Sequence, residues 1–462
     1  MTRPGGMTAT ALLTAYRQGN LSPVDAVETT LQHIDQADGR LHSFLHVDAA
    51  GARAAAQEAA QRWARGEDVG PLCGVPVGIK DIIDVAGLPT TCHSRILLDN
   101  IALKDAEVVR RLRQAGAIVM GKLATHEFAL GGPSFDLPFP PARNPWNYGH
   151  NPGGSSSGSA VSVAAGLLPL AVGTDTAGSI RHPAGACGIL GLKPGYDAVP
   201  RHGVFPLAFS LDHVGPLARS TADLALAFEV MAGRRLTVPL VDGDRPLAGL
   251  RIGYVRHFHT HDVPADPEVA AALDATAAAF ETLGAVVVEV VLPPLQQFLG
   301  INRIIMFSEA WSIHAQWLRE RPEDYGQSGR QRLMAGAFLT AEDYLAAQRH
   351  RTALSRQVQE VLDGADLLLV ANMLDPACRI DDAEALAYTS ERQARVAFNV
   401  TGHPALSIPT GLSALGMPLS AQLVGPMGTE AVLLRACAAL EQIGRGVPRL
   451  PDQPVFSVEG AT

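Results

Sequence analysis

With 462 residues, 47% of them hydrophobic and only 18% charged, the chain can bury a large core, which argues against a disordered polypeptide. A net charge of −9 and the absence of any long Lys/Arg run argue against docking on a nucleic-acid backbone. Five scattered cysteines (Cys73, Cys92, Cys187, Cys378 and Cys437) form no CxxC pair. That excludes a zinc ribbon and points to buried thiols in a reduced compartment. No apolar run reaches the roughly 18 residues that a membrane span needs. The opening Met1-Thr2-Arg3-Pro4-Gly5-Gly6 lacks the apolar stretch of a signal peptide, so the expected location is the cytoplasm.

In chain order, the spacing predicts helices over Thr8 to Arg17, from Ser22-Pro23 to about Asp38-Gly39, and from Asp48 to near Gly66. Pro71 to Val85 is β-like and apolar except for Lys80, Asp81 and Asp84. Ala106 to Ala115 reads as a helix and Ala117 to Gly121 as a buried strand, which together suggest a βαβ unit. Phe135 to Gly154 is a long Pro/Gly/Asn-rich loop of the kind that usually carries function. Further strands are expected at Ile189 to Lys193, Arg251 to Val255, Ala285 to Val291, Leu367 to Val370, Ala405 to Ile408 and Leu419 to Val424. Helices are expected at Ser220 to Met231, Pro267 to Leu283, Asn302 to Glu320, Ala341 to Leu362 and Thr429 to Gln442. With no repeat and no linker, one large α/β domain is expected. Its catalytic core would cover about 70–235, with a helical insertion on the substrate side at about 300–365.

The stretch from Asn151 to Arg181 draws attention to chemistry. Gly and Ser cluster at both ends, around an apolar run from Val161 to Val172. Glycine lets backbone approach a ligand, and serine supplies a hydroxyl for attack or proton relay. Gly154-x-Ser156-x-Gly158 matches a nucleophile elbow, but the loop before it is not a strand. A phosphate-binding loop would need a Lys after the glycines, and none follows. Upstream, Lys80 within an apolar strand has two readings. It either snorkels to solvent at a strand end or is desolvated and serves as a base. The alternating histidines His257, His259 and His261 lack further ligands at metal-site spacing and read as a solvated loop.

Three blocks carry a resemblance. They are Gly74-Val75-Pro76-Val77-Gly78-Ile79-Lys80-Asp81, Pro152 to Ala160, and Gly173-Thr174-Asp175-Thr176-Ala177-Gly178-Ser179-Ile180-Arg181. With Arg143-Asn144-Pro145-Trp146, Gly188 to Pro194 and Phe398 to Ala405, they resemble the amidase signature family of serine amidohydrolases across nearly the whole chain. The resemblance implies an α/β fold with a large, mixed, mostly parallel β-sheet flanked by helices on both faces. It implies a Ser-Ser-Lys triad with Lys80 as base, Ser155 as relay on a cis peptide, and Ser179 as nucleophile. Ser156 and Ser157 are the competing relays. Backbone N–H groups of Thr176, Ala177, Gly178 and Ser179 would form the oxyanion hole. No cofactor or metal is implied.

For the base to work, burial must lower the Lys80 pKa, and Asp81 on the strand would point away from it. Ala177 stands where the family usually has Gly, so the backbone there has less freedom. The expected activity is hydrolysis of a small amide, anilide or carbamate by a stand-alone enzyme, which could form a homodimer. The alternatives are the amidase subunit of a glutamine-dependent tRNA amidotransferase and a non-enzymatic scaffold. The amidotransferase role needs an acidic residue to grip glutamine near Tyr388 to His403. That segment holds Glu391 but no acidic residue from Arg392 to His403.

Overall fold

Successive residues of the central strands feed two different hydrophobic clusters. Leu170 and Val172 pack with Val77, Ile79 and Val119, whereas Ala171 packs with Ile118, Met120 and Leu217. This two-residue period places one cluster on each face of a sheet. The helices Pro23–Leu41, Ala49–Ala64 and Ser157–Ala164 cover one cluster with residues such as Val27, Ala52 and Val163. Glu107–Gln114 and Thr221–Ala232 cover the other with Val108, Leu112, Leu224 and Phe228. The computed structural model describes residues 6–237 and 243–451; the opening Met1–Gly5 segment lies outside them.

The strands are β1 (Phe44–Val47), β2 (Pro76–Lys80), β3 (Ile118–Leu123), β4 (Leu170–Asp175), β5 (Leu190–Lys193), β6 (His213–Ala218), β7 (Arg251–Tyr254), β8 (Val286–Glu289), β9 (Leu367–Ala371), β10 (Ala405–Leu412) and β11 (Pro418–Val424). Among the described residues they form an 11-stranded sheet in the order β1-β3-β2-β4-β6-β5-β10-β11-β9-β7-β8. β2 runs parallel to β3 across the Glu107–Gln114 helix, as the expected βαβ unit requires, and parallel to β4 on its other side.

The sheet is mixed but not mostly parallel. Six of its ten neighbouring pairs are antiparallel. The connections explain this. Residues 413–417 alone join β10 to β11, and a parallel pair needs a crossover of about a dozen residues or more. β6 carries Pro216 opposite Val172 in a strand paired on both sides, where proline is rare, and its pattern does not announce a strand.

Helix starts follow their caps. Ser22 accepts from Asp25 N–H with Pro23 in the first turn, and Ser220 accepts from Asp223 N–H. The apolar run after the serines divides into the helix Ser157–Ala164 and β4, with Gly166 at φ +74° in the turn between them. His257 to His261 differs from a solvated loop. Phe258–Asp262 makes a single π-helical turn, and His259 is buried against the Tyr254 hydroxyl. Among the described residues, no group of three or more His, Cys, Asp or Glu is placed to hold a metal, and no helix is long and apolar enough to cross a membrane.

Candidate active site

Parallel pairing of β2 with β4 puts their carboxyl ends side by side, with Ile79 opposite Val172. In open α/β sheets that edge is where ligands collect. Lys80 ends β2, and its amine, fully buried, contacts Ser155 Oγ at 2.8 Å and Thr174 Oγ1 at 2.7 Å. The Lys80 side chain therefore does not snorkel to solvent. Ser155 follows a cis Gly154–Ser155 peptide immediately before the helix Ser157–Ala164. Gly154 is required there, because a Cβ would sit 2.1 Å from the His126 ring.

The neighbouring serines face elsewhere. Ser156 Oγ donates to the Thr174 carbonyl (3.0 Å) and accepts from its N–H (3.2 Å), stitching the serine segment to β4. Ser157 Oγ donates to the Ala124 carbonyl at 3.4 Å. Ser179 lies in the turn between β4 and the helix Arg181–Ala186, and its carbonyl accepts from Ser156 N–H at 3.1 Å. Ser155 and Ser179 open onto one cavity of about 500 Å³, shared with His126, Ala177, Arg332 and Arg395 among others. No Asp or Glu lines it among the described residues.

Asp175 shapes the Ser179 turn. Its carboxylate accepts from Gly178 N–H (2.7 Å), Ile180 N–H (3.1 Å) and Asn399 Nδ2 (2.8 Å), and it pairs with the buried Arg181 at 3.0 Å. Gly178 has φ +111°, and a Cβ there would meet the Arg395 side chain at 2.2 Å. Because Gly178 N–H is held by Asp175, it is not free to serve an oxyanion. No acceptor among the described residues takes the N–H of Thr176, Ala177 or Ser179. Ala177 has no positive φ, so its methyl is accommodated without backbone strain.

Burial sets the electrostatics. It lowers the Lys80 pKa to about 7, against the pull of Asp175 and Asp212. Asp81, the next residue, forms a buried ion pair with Lys122 at 2.8 Å instead. Burial and the nearby Lys80 push His126 down to about 3, and burial with Arg395 pushes His182 well below its ordinary range. Both rings are therefore neutral at physiological pH, where the Lys80 amine, with its pKa of about 7, is present in both neutral and charged forms. Asp175 stays ionised despite its burial because Arg181 and Asn399 hold it far below the usual carboxylate range.

Sequence reasoning missed Thr174, Asn399 and Gln422. Gln422 accepts from Arg181 Nη1 at 2.7 Å, and Asn399 accepts from Nη2 at 2.6 Å. Thr174 and Asn399 lie inside the matching blocks, but nothing in the linear pattern says that they meet Lys80 or Arg181.

Comparison with known proteins identifies the family and the fold. The Amidase family model matches residues 25–434. A glutamyl-tRNA(Gln) amidotransferase subunit from Anaeromyxobacter sp. (strain K) is 39% identical, covering 94% of this chain and 95% of that protein. A crystal structure of an amidase superposes with a TM-score of 0.86 at 32% identity, covering 95% of this chain and 100% of that one. The corresponding glutamyl-tRNA(Gln) amidotransferase subunit from Thermotoga maritima superposes with a TM-score of 0.81 at 29% identity, covering 99% of each chain. The chain belongs to the amidase signature family.

Proposed function

We propose that this chain is a stand-alone serine amidohydrolase that cleaves the C–N bond of a small amide, anilide or carbamate. The observation that carries the reading is the buried Lys80 amine 2.8 Å from Ser155 Oγ, at the wall of a cavity that also holds Ser179. Neutral Lys80 accepts the Ser155 proton while Ser155 accepts that of Ser179. Ser179 Oγ forms a bond to the substrate carbonyl carbon, and the carbonyl electrons move onto its oxygen. The N–H groups of Thr176, Ala177 and Ser179 supply oxyanion donors, each worth a few kcal/mol. Collapse breaks the C–N bond, and Ser155 returns the proton to the departing nitrogen. Water then attacks the ester on Ser179, releasing the acid and restoring the hydroxyl.

The segment expected as a substrate-side insertion supports the reading, since it supplies Met306, Ser328, Gln331 and Arg332 to the cavity. The second reading, one component of a tRNA amidotransferase, is favoured by the 39% identity to such a protein. The cavity weighs against it, because glutamine carries an ammonium group and no carboxylate among the described residues lines the cavity to receive one. Glu391 instead pairs with Arg303 on the surface. The test is ammonia or amine release by the purified single chain from simple amides, p-nitroanilides and carbamates. Activity that needs glutamine and added partner chains would favour the second reading. Unchanged function in Ser179→Ala would overturn both.

A further inference from the structure

Two guanidinium groups face the cavity with no carboxylate in direct contact among the described residues, although Asp175 attracts Arg395 and Glu391 attracts Arg332 from farther off. Arg395 is only 5% exposed, yet it gives one protein hydrogen bond, from Nη1 to the Asn372 carbonyl at 3.2 Å. Its Nε has no partner. Arg332, half-buried and lining the same cavity, makes no hydrogen bond or ion pair among the described residues. The carboxylates in the neighbourhood are already engaged. Asp175 is held by Arg181, Asp375 by Arg392 and Glu391 by Arg303. A buried cation is costly unless paired, and leaving charge-assisted donors unused adds to that cost. Burial and the neighbouring Arg181 accordingly depress the Arg395 pKa to about 9.

The position of Arg395 says where the missing anion would sit. A Cβ on Gly178 would lie 2.3 Å from Arg395 Nε, so the guanidinium packs directly against the residue before Ser179. Arg395 and Ser179 line the same cavity, so an anion bound by the guanidinium would sit beside the turn that carries Ser179. The planar fork of arginine suits a carboxylate, which it can grip with two parallel N–H donors. The lack of acidic lining among the described residues sets the sign of the preferred ligand and disfavours an ammonium-bearing one.

We propose that the substrate carries its own carboxylate close to the scissile amide, and that Arg395, with Arg332 as a second cation, holds it against Ser179. This names a substrate class, short amide acids, and rests on the amidohydrolase reading above. A purely structural Arg395 would need no such ligand, and the two roles separate by experiment.

The test compares succinamate with its neutral twin succinamide, in the full chain and in Arg332→Gln, Arg395→Gln and Arg395→Lys. The wild type is expected to favour succinamate in kcat/KM by about tenfold or more, the scale of one charge-assisted hydrogen bond. That ratio should fall in Arg332→Gln, collapse toward one in Arg395→Gln, and recover partly in Arg395→Lys. If Arg395→Gln does not fold, the wild-type ratio and its fall in Arg332→Gln decide. Binding of succinamate and succinamide to Ser179→Ala, measured by calorimetry, gives a readout independent of turnover. Hydrolysis of both compounds with no charge preference would overturn this inference and leave the amidohydrolase reading standing. Binding of succinamate alone, lost on adding Arg332→Gln, with no hydrolysis by the wild type, would uphold the inference and sink that reading. A preference that survives both glutamine variants, or no binding of either compound, would overturn the inference.

Discussion

Lys80 and Asp81 are adjacent in sequence, both are buried, and they do not form a pair. Lys80 turns to Ser155 and Thr174, while Asp81 meets Lys122 at 2.8 Å and accepts from Thr91 N–H at 3.0 Å. Lys80 closes β2 and Asp81 opens the turn after it, where Lys122 on β3 pairs with the acid. Had Asp81 faced Lys80, the amine would be held as a cation and could accept no proton from Ser155.

The first prediction is a pH profile. Lys80 must be neutral to act, and burial lowers its pKa from 10.5 to about 7. Activity should therefore rise with pH through an apparent pKa near 7 and flatten above it. Lys80→Met should cost on the order of 100- to 10,000-fold in kcat, the usual range for a lost general base. Thr174→Val removes one of the two hydroxyls on the amine. It should move the acid limb and lower kcat by about tenfold, as loss of a single hydrogen bond to a charged group would. An unmoved acid limb in a folded Thr174→Val enzyme would contradict this.

A second prediction ranks the serines. Ser155→Ala breaks the contact with Lys80 and should cut kcat by about 100-fold or more, with little change in stability. Ser156→Ala removes the stitch to the Thr174 backbone and should cost about 1 kcal/mol of stability, with the smaller loss of activity. Steady-state kinetics with thermal denaturation of both variants checks the order; the reverse order would overturn it.

A third prediction concerns Arg181. It is fully buried and binds Asp175, Asn399, Gln422 and the Arg395 carbonyl. Arg181→Met leaves the Asp175 carboxylate buried without its cation. The expected loss is about 3–5 kcal/mol in denaturant unfolding, together with loss of the Ser179 turn. A variant of near wild-type stability would refute the role given to this pair.

A fourth prediction is a stability change with pH. Burial raises Glu127 from 4.5 to about 7, against hydrogen bonds from Ser94 and Gly326 N–H. Between those values the folded chain holds a proton that the unfolded chain has released. Glu127 should therefore make stability fall as pH rises from about 4.5 to about 7, by on the order of 3 kcal/mol in total. Glu127→Gln should flatten that part of the stability curve, and equal slopes in the two proteins would count against it.

How much was legible in the sequence depended on range. Lys80, Ser155 and Ser179 stand in local blocks whose residue types announce chemistry, and helix caps such as Ser22 and Ser220 mark starts that the fold keeps. What was not legible is set by long-range pairing. Arg181 meets Asn399 and Gln422, and Asp175 meets Asn399, from segments more than 200 residues away, and only the fold brings them together. Strand direction failed for the same reason. A mostly parallel sheet was expected, but β10–β11 closes through a short turn and β6 hides behind Pro216. The change from helix to strand between Val161 and Val172 is masked because both elements are buried and apolar on every side.

The most direct measurement is intact-protein mass spectrometry with peptide mapping after acid quench of a single-turnover reaction on a p-nitroanilide or ester substrate. The expected result is an acyl adduct on the peptide bearing Ser179, absent in Ser179→Ala and formed far more slowly in Lys80→Met. Turnover with no adduct, or an adduct on Ser155 or Ser156, would contradict Ser179 as the nucleophile activated through Ser155 by Lys80.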